Sequence, residues 1–528
     1  MTIHNGRRQR VCLAVEKMCK TAQHNRMALN HKDDTLVEGL RGPAVLGLRA
    51  SRVSFTPACC APSAPSRVKV GLITLGCDKN TVDSERYLAQ LTAIGAVAVD
   101  DLREAELVIV NTCGFIDAAK KESLDALIDA GRLKADGTLQ SLVAVGCMVE
   151  RHKGELVAAL PEVDLFLGAS ETDRLIPALI ERGLIGDAPV LHPGDRLPVS
   201  DRLHVRYLKI SEGCDHGCAF CAIPLMRGKH RSFALDEVVR EAQLLEMQGA
   251  REVNLVAQDL AHYGRDRRDG AALPELLEAL IAQTDIPWFR LLYLYGAGLT
   301  PRLLDVVARS PRILPYLDMP IQHGADAVLA RMRRPERNKS IRERVARVRE
   351  VIPDVSIRTT CIVGFPGETD EDFAVLLAML EEVQFDRVGA FTYSAQEGTR
   401  AFELSDDVPE SVKRERLERL LEVQRAISAE RYERYLGREV DVLVEESAPE
   451  GAIARAPWQA DDVDGVVRLD VDAPAGTFAR VRITDVEDDF DFTATVLALA
   501  SAAPTPRRRV ARAPLPLAGA STMGAFGR

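Results

Sequence analysis

Between residues 67 and 500, short apolar runs alternate with segments whose apolar positions recur at helical spacing. In 67–182 the runs "VKVGLITLGC", "LVIVNTCGF" and "SLVAVGC" are apolar at nearly every position, the pattern of strands covered on both faces of a parallel sheet. "DSERYLAQLTAIG", which lies between the first two, has the amphipathic spacing of a helix. The alternation predicts an N-terminal parallel α/β domain over 67–182. It resumes over 200–431 with six candidate strands: "VRYLKIS", "EVNLVAQ", "FRLLYLY", "PYLDMPI", "VSIRTTCIVGF" and "RVGAFTYS". Helical segments such as "LDEVVREAQLLEMQG" and "EDFAVLLAMLEEVQ" separate them, so a partial (β/α)6 barrel is expected, three-quarters of the eight-fold one. A charged helix follows at roughly 409–436. Residues 434–500 then change to short strands, "EVDVLVEE", "GVVRLDV" and "ARVRITDVE", with turn residues between, which predicts a small antiparallel β-barrel. The fold class is α/β multidomain. Residues 1–66 show no steady period and are expected to be a disordered extension, or translated sequence upstream of the true start; 501–528 are a Pro/Ala/Arg tail, also expected to be disordered.

Composition narrows the function classes only a little. At 46% hydrophobic, the 528-residue chain can bury a core, and its formal charge of −10 argues against a general grip on nucleic acid. No run of eighteen apolar residues occurs and the N-terminus lacks an apolar signal core, so no membrane partner and a cytoplasmic location are expected. In a reducing compartment the eleven cysteines are expected to be metal ligands or buried thiols rather than disulfides. Cys12, Cys19, Cys59 and Cys60 fall in the N-terminal extension and read as thiols without a role.

The remaining cysteines change the picture. "SEGCDHGCAFC" places Cys214, Cys218 and Cys221 directly after the first strand of the second block, where a β/α barrel builds its active site. Structural zinc and ordinary ferredoxin clusters both want four ligands. Three thiolates can hold three irons of a [4Fe–4S] cluster and leave the fourth open to a substrate. A zinc loop completed by His216 or His230 is the alternative. The loop, with aromatic Phe220 before the third cysteine, resembles the radical S-adenosylmethionine (SAM) signature. That resemblance implies that the open iron chelates SAM and that electron transfer to it yields a 5′-deoxyadenosyl radical. It also implies adenosine contact at the glycine-rich strand end "TTCIVGFPGET", through Gly364. Cys361 in that strand reads as a buried thiol. Gln258, Asp259 and Arg358 are further candidate SAM contacts, each with an equally good structural reading.

Cys77, Cys113 and Cys147 each end an apolar strand, and parallel strands bring their C-terminal ends to one sheet edge. Three thiols can therefore converge there; three separate buried cysteines are the alternative. A three-cysteine sheet, a radical SAM barrel and a small C-terminal barrel of the TRAM kind together resemble the methylthiotransferases over roughly 67–500. The resemblance implies an auxiliary [4Fe–4S] cluster on Cys77, Cys113 and Cys147, a sulfur species on its open iron, and two uses of SAM. One SAM donates a methyl group to sulfur, and the other gives the radical that opens a C–H bond.

Two branches of that family modify a tRNA adenosine or the β-carbon of an aspartate in small-subunit ribosomal protein number twelve. "TLGCDKNTVDSE", "GCAFCAIPLMRGKHRS" and "YLDMPIQHGAD" resemble the ribosomal-protein branch. The chain departs from the pattern in its two tails and at Phe233, where a second basic residue is expected. Charge gives a separate argument: 438–495 holds fifteen Asp or Glu against five Arg. Such a surface repels a phosphate backbone and attracts a basic ribosomal protein. The expected partners are that protein, docked on the acidic barrel, an electron donor (a reductase, or ferredoxin or flavodoxin) and a sulfur donor. A reading of another class is a non-catalytic iron–sulfur carrier or a ribosome-bound scaffold.

Overall fold

The apolar runs of the first block form an all-parallel five-stranded sheet in a computed structural model that describes residues 68–186, 191–192, 194–448, 450–487 and 490–499. The predicted extension and tail, with Cys12, Cys19, Cys59 and Cys60, lie outside the described residues. The strands are β1 (Lys69–Thr74), β2 (Val97–Ala98), β3 (Leu107–Thr112), β4 (Ser141–Gly146) and β5 (Leu165–Gly168), in the order β2-β1-β3-β4-β5. Every residue of β3 and β4 is buried. Val108, Val110, Leu142 and Ala144 enter the core on one face of the sheet, while Leu107, Ile109, Val143 and Val145 enter the core on the other. That is why these strands are apolar at consecutive rather than alternate positions. The pattern gave no sign of β2, which has two residues, or of β5, "LFLG", which has four.

The second block contains β6 (Val205–Lys209), a short antiparallel ribbon of β7 (Ser211–Glu212) and β8 (Arg231–Ser232), and then β9 (Glu252–Val256), β10 (Trp288–Leu291), β11 (Ile313–Asp318), β12 (Ser356–Val363) and β13 (Arg387–Thr392). All six expected strands pair in parallel, in the order β13-β12-β11-β10-β9-β6. The sheet stays open, as a partial barrel should. The charged helix runs over Glu410–Tyr432, and its Leu420 and Ile427 join the barrel's main core.

The last block is a closed barrel of β14 (Glu439–Ala448), β15 (Gly451–Arg455), β16 (Val467–Leu469), β17 (Phe478–Glu487) and β18 (Asp491–Leu499), in the order β14-β15-β16-β18-β17. Its ladders are antiparallel except β16–β18. Tyr435 stacks on Trp458 at 3.7 Å at the centre of its core. This small barrel sits against the N-terminal ends of the large one, where Leu443 and Ala460 pack on Val205, Trp288, Leu314 and Tyr316. Buried charges cross the seam. Glu252 accepts from Arg290 at 2.7 Å and from Arg455 at 2.7 Å, and Arg455 Nε also donates to Glu445 at 2.8 Å. Burial opposes ionisation of Glu252, but the two guanidiniums overcome it and hold its carboxyl below the usual range. With the small barrel covering the N-terminal ends of the strands, the opposite mouth is left for chemistry.

Candidate active site

Cys77, Cys113 and Cys147 follow the ends of β1, β3 and β4, and close backbone packing draws them together. Gly76, at φ +91°, has no room for a side chain: a Cβ there would lie 2.7 Å from Cys113 Cβ and 2.9 Å from its Sγ. A Cβ on Gly114 would lie 2.8 Å from Met148 Cα and 3.2 Å from the carbonyl carbon of Cys147. Two side chains fix the strand ends. Asn80 Nδ2 donates to Leu75 O at 2.7 Å and Thr112 O at 3.2 Å. Ser123 Oγ accepts from Cys113 N at 2.9 Å and donates to Cys113 O at 3.0 Å.

The other trio, Cys214, Cys218 and Cys221, lies on the loop that leaves β7. Cys214 N donates to Gly228 O at 3.1 Å, and Ala219 N donates to Met332 O at 2.9 Å, anchoring the loop at both ends. His216 stacks on Tyr295 at 4.1 Å, and its Nε2 pairs with Asp259 Oδ2 at 2.8 Å. Asp259 Oδ1 in turn accepts from Ala261 N and Tyr295 N.

The two trios are neighbours. Cys147 shares one buried cluster with Ala222, the residue after Cys221. Arg227, from the same segment, donates from Nε to Cys147 Sγ at 3.2 Å while its Nη1 holds Asp83 at 2.8 Å and Glu212 at 3.2 Å. The loop after β10 touches both sides: Tyr293 Oη donates to Asp78 beside Cys77, and Tyr295 carries His216 of the other loop.

Burial raises Cys113 and Cys214 to about 11, and Cys147 and Cys221 to about 12, with Arg227 opposing the rise at Cys113 and Cys147. These thiols are therefore protonated near neutrality, and ligation must draw their protons off. A single tetrahedral ion needs its donors within roughly 4 Å of one another. Among the described residues, the group of three ligating side chains meeting even a 4.8 Å limit is His216, Asp259 and His262, with no cysteine in it. Each thiol trio is thus too open for a lone zinc. His216 pairs through Nε2 with Asp259 and His230 through Nε2 with Ser232, and neither histidine falls in a close-set ligand group with a cysteine. A wide set of three thiols, with no close-set fourth ligand among the described residues, fits a polynuclear cluster with one open corner.

The other expected contacts fare unevenly. Gln258 follows β9, beside Asp259, and its buried Oε1 has no hydrogen-bond partner, as a ligand contact would leave it. Phe220 packs partly buried in a cluster with Phe365 and Tyr393. Gly364, at φ +70°, has Lys413 against it, 2.2 Å from where a Cβ would lie, so packing within the chain already requires glycine there. Arg358 is engaged by Asp318 at 3.1 Å and faces Asp464 of the small barrel. Cys361 is fully buried, as expected, and pushed up to about 12 by that burial. Phe233 packs against the barrel core with its ring between Arg86 and Arg231. Sequence reasoning passed over Arg227, Asn80, Asp83, Tyr293 and Tyr295. The available signal was in "CDKNTVDSE", where Asn80 and Asp83 stand one helical turn apart beside a candidate ligand.

Known proteins share the domain order. Family models match the uncharacterized protein family UPF0004 at 69–168, the radical SAM superfamily at 208–380 and the TRAM domain at 436–497. This domain order and the relatives that share it define a radical SAM methylthiotransferase. The ribosomal protein uS12 methylthiotransferase RimO of Geobacter sulfurreducens is 42% identical over 435 residues, 80% of this chain and 97% of that one. RimO of Anaeromyxobacter sp. strain K is 43% identical over 79% of this chain and 91% of its own. The chain belongs to the RimO family. Among solved structures, the radical SAM methyltransferase TsrM of Kitasatospora setae aligns over 62% of this chain and 73% of its own at 14% identity, with a TM-score of 0.46, too loose to add to the assignment.

Proposed function

We infer that the chain adds a methylthio group to the β-carbon of an aspartate in uS12, with two [4Fe–4S] clusters and SAM as cofactors. The observation that carries this reading is the meeting of two three-thiol sets at one mouth, joined by the Arg227–Cys147 hydrogen bond. When bound, the cofactors supply the electron, the radical, the methyl group and the transferable sulfur that an unactivated C–H bond demands and side chains cannot provide. The chain's own residues hold and orient. Cys214, Cys218 and Cys221 serve the SAM-cleaving cluster, and Cys77, Cys113 and Cys147 the auxiliary one. Gln258 Oε1 is the polar atom left free to orient SAM. Tyr293 and Tyr295 wall the space between.

Basic uS12 docks on the small barrel through Glu446, Glu450, Asp470, Asp472 and Asp485, which are exposed. Glu445 and Asp464, counted in the acid excess of the sequence, are instead buried against the large barrel. A reductase, ferredoxin or flavodoxin supplies electrons and a separate donor renews sulfur. A cytoplasmic location follows from a ribosomal substrate; among the described residues no helix is long and apolar enough to cross a membrane. The test is anoxic incubation of reconstituted enzyme and SAM with uS12 or with tRNA, followed by product mass. Modified uS12 with unchanged tRNA is expected; the converse overturns the reading.

A further inference from the structure

Lys79 is a largely covered cation with no counter-ion among the described residues. It stands two residues after Cys77, on the first turn of the helix Asp78–Ala93, and is 6% exposed. Its ammonium lies 3.3 Å from the centre of the Tyr293 ring and, among the described residues, has no hydrogen-bond acceptor or carboxylate. Other buried cations differ: Lys209 and Arg227 are paired with Asp83 and Glu212, and Arg358 with Asp318. The nearest acid in the chain, Asp78, accepts from Tyr293 Oη at 3.0 Å. Holding an ammonium in a largely covered position without a paired carboxylate is costly, and an aromatic face offsets only part of the lost hydration.

Tyr293 is itself held in an unfavourable conformation. Its φ is +63°, rare for an aromatic residue. Asp318 Oδ2 accepts from its backbone N–H at 3.2 Å, and its ring supports Lys79. Strain of this kind persists where the surroundings enforce it, commonly at ligand sites. Two residues on, Tyr295 stacks on His216 of the other thiol loop. Lys79 thus stands beside Cys77, and the loop that seats it also carries the Tyr295 that stacks on the other thiol loop.

We propose that Lys79 binds the side-chain carboxylate of the target aspartate, placing its β-carbon between the two cluster sites. The proposal rests on the uS12 reading and assigns the group that recognises the modified side chain. Lys79 approaches that carboxylate as a point charge, while the acids nearest its seat are engaged by Tyr293 itself, Asp78 by the hydroxyl and Asp318 by the backbone N–H.

The test measures binding of uS12 to SAM-loaded holoenzyme, with Asp or Asn at the target position, for the wild type, Lys79→Met and Lys79→Arg. Removing one partner of a desolvated charge pair weakens binding roughly 30-fold or more. Wild type is expected to lose that factor on the Asn substrate. Lys79→Met is expected to lose it on the Asp substrate and nothing further on Asn, and Lys79→Arg to retain part. Multiplying losses overturn the proposal. So does equal wild-type affinity for the two substrates, a result that needs no enzyme variant to fold. Methylthiolation of unaltered uS12 by wild type is followed in parallel: its absence sinks the uS12 reading, whereas its presence with multiplying losses sinks the Lys79 assignment alone.

Discussion

Arg227 belongs to the barrel layer, yet its Nε donates to a thiol of the neighbouring sheet. Its other nitrogens satisfy Asp83, Glu212 and Asn80, so one side chain sets both a fold contact and a ligand environment. Burial alone would raise the Asp83 carboxyl, but Lys209 and Arg227 lower it to about 2. Arg227→Met should therefore cost on the order of 3–5 kcal/mol in chemical denaturation, by leaving buried carboxylates underpaired. In protein that keeps its iron, it should also lower the midpoint potential of the auxiliary cluster, because a donor and a positive charge beside a thiolate favour the reduced form. His152 gives a pH test. Burial, with Lys120 and Arg151 nearby, lowers it from 6.5 to about 4. The folded state favours neutral imidazole, so this contribution to stability is full above pH 6.5 and is lost as pH falls toward 4. Unfolding midpoints measured across that window should drop in the wild type and drop less in His152→Phe. At this scale the placement of the six cysteines, three after strand ends of one sheet and three on one loop, was legible, because thiols repeated in those patterns stand out in the sequence. Arg227 and Tyr293 were not: an arginine in a basic segment and a tyrosine in an apolar run look ordinary until the layers dock.

The strand-to-loop junctions place the thiols of the sheet edge, and glycine makes that placement possible. Gly76→Val would push into Cys113 and demand a positive φ from a β-branched residue. The expected result is loss of the iron held by the auxiliary trio, with the SAM-dependent spectral change of the other cluster preserved; iron analysis and electron paramagnetic resonance would read both. The elements themselves were legible where burial on two faces made continuous apolar runs, as in β3 and β4. β15 and β18 were not, for different reasons. β15 is five residues rich in alanine, and β18 emerges from the acid-rich run "DVEDDFDF", where charge masks the alternation. Pairing with β17 organises β18, and that partner lies outside any local window.

Across the whole molecule, charge does two jobs that a count cannot separate. The acid excess of 438–495 reads as a docking surface, but Glu445 and Asp464 face inward to Arg455, His204 and Tyr316. Arg455→Met would leave Glu252 with Arg290 alone and Glu445 with His204 and Arg202. Limited proteolysis should then cut near 433–438 sooner than in the wild type, and the unfolding midpoint should fall. The domain order was visible in the sequence; which face of the small barrel meets the large one was not, because that choice depends on buried pairs formed by residues some two hundred positions apart. The Arg227 contact has a consequence for maturation. The sheet edge alone can present three thiols, but only the docked barrel delivers the guanidinium to Cys147. Iron loaded onto a nascent N-terminal layer would meet an unfinished nest, so faithful metallation should wait until the second layer has closed over the first.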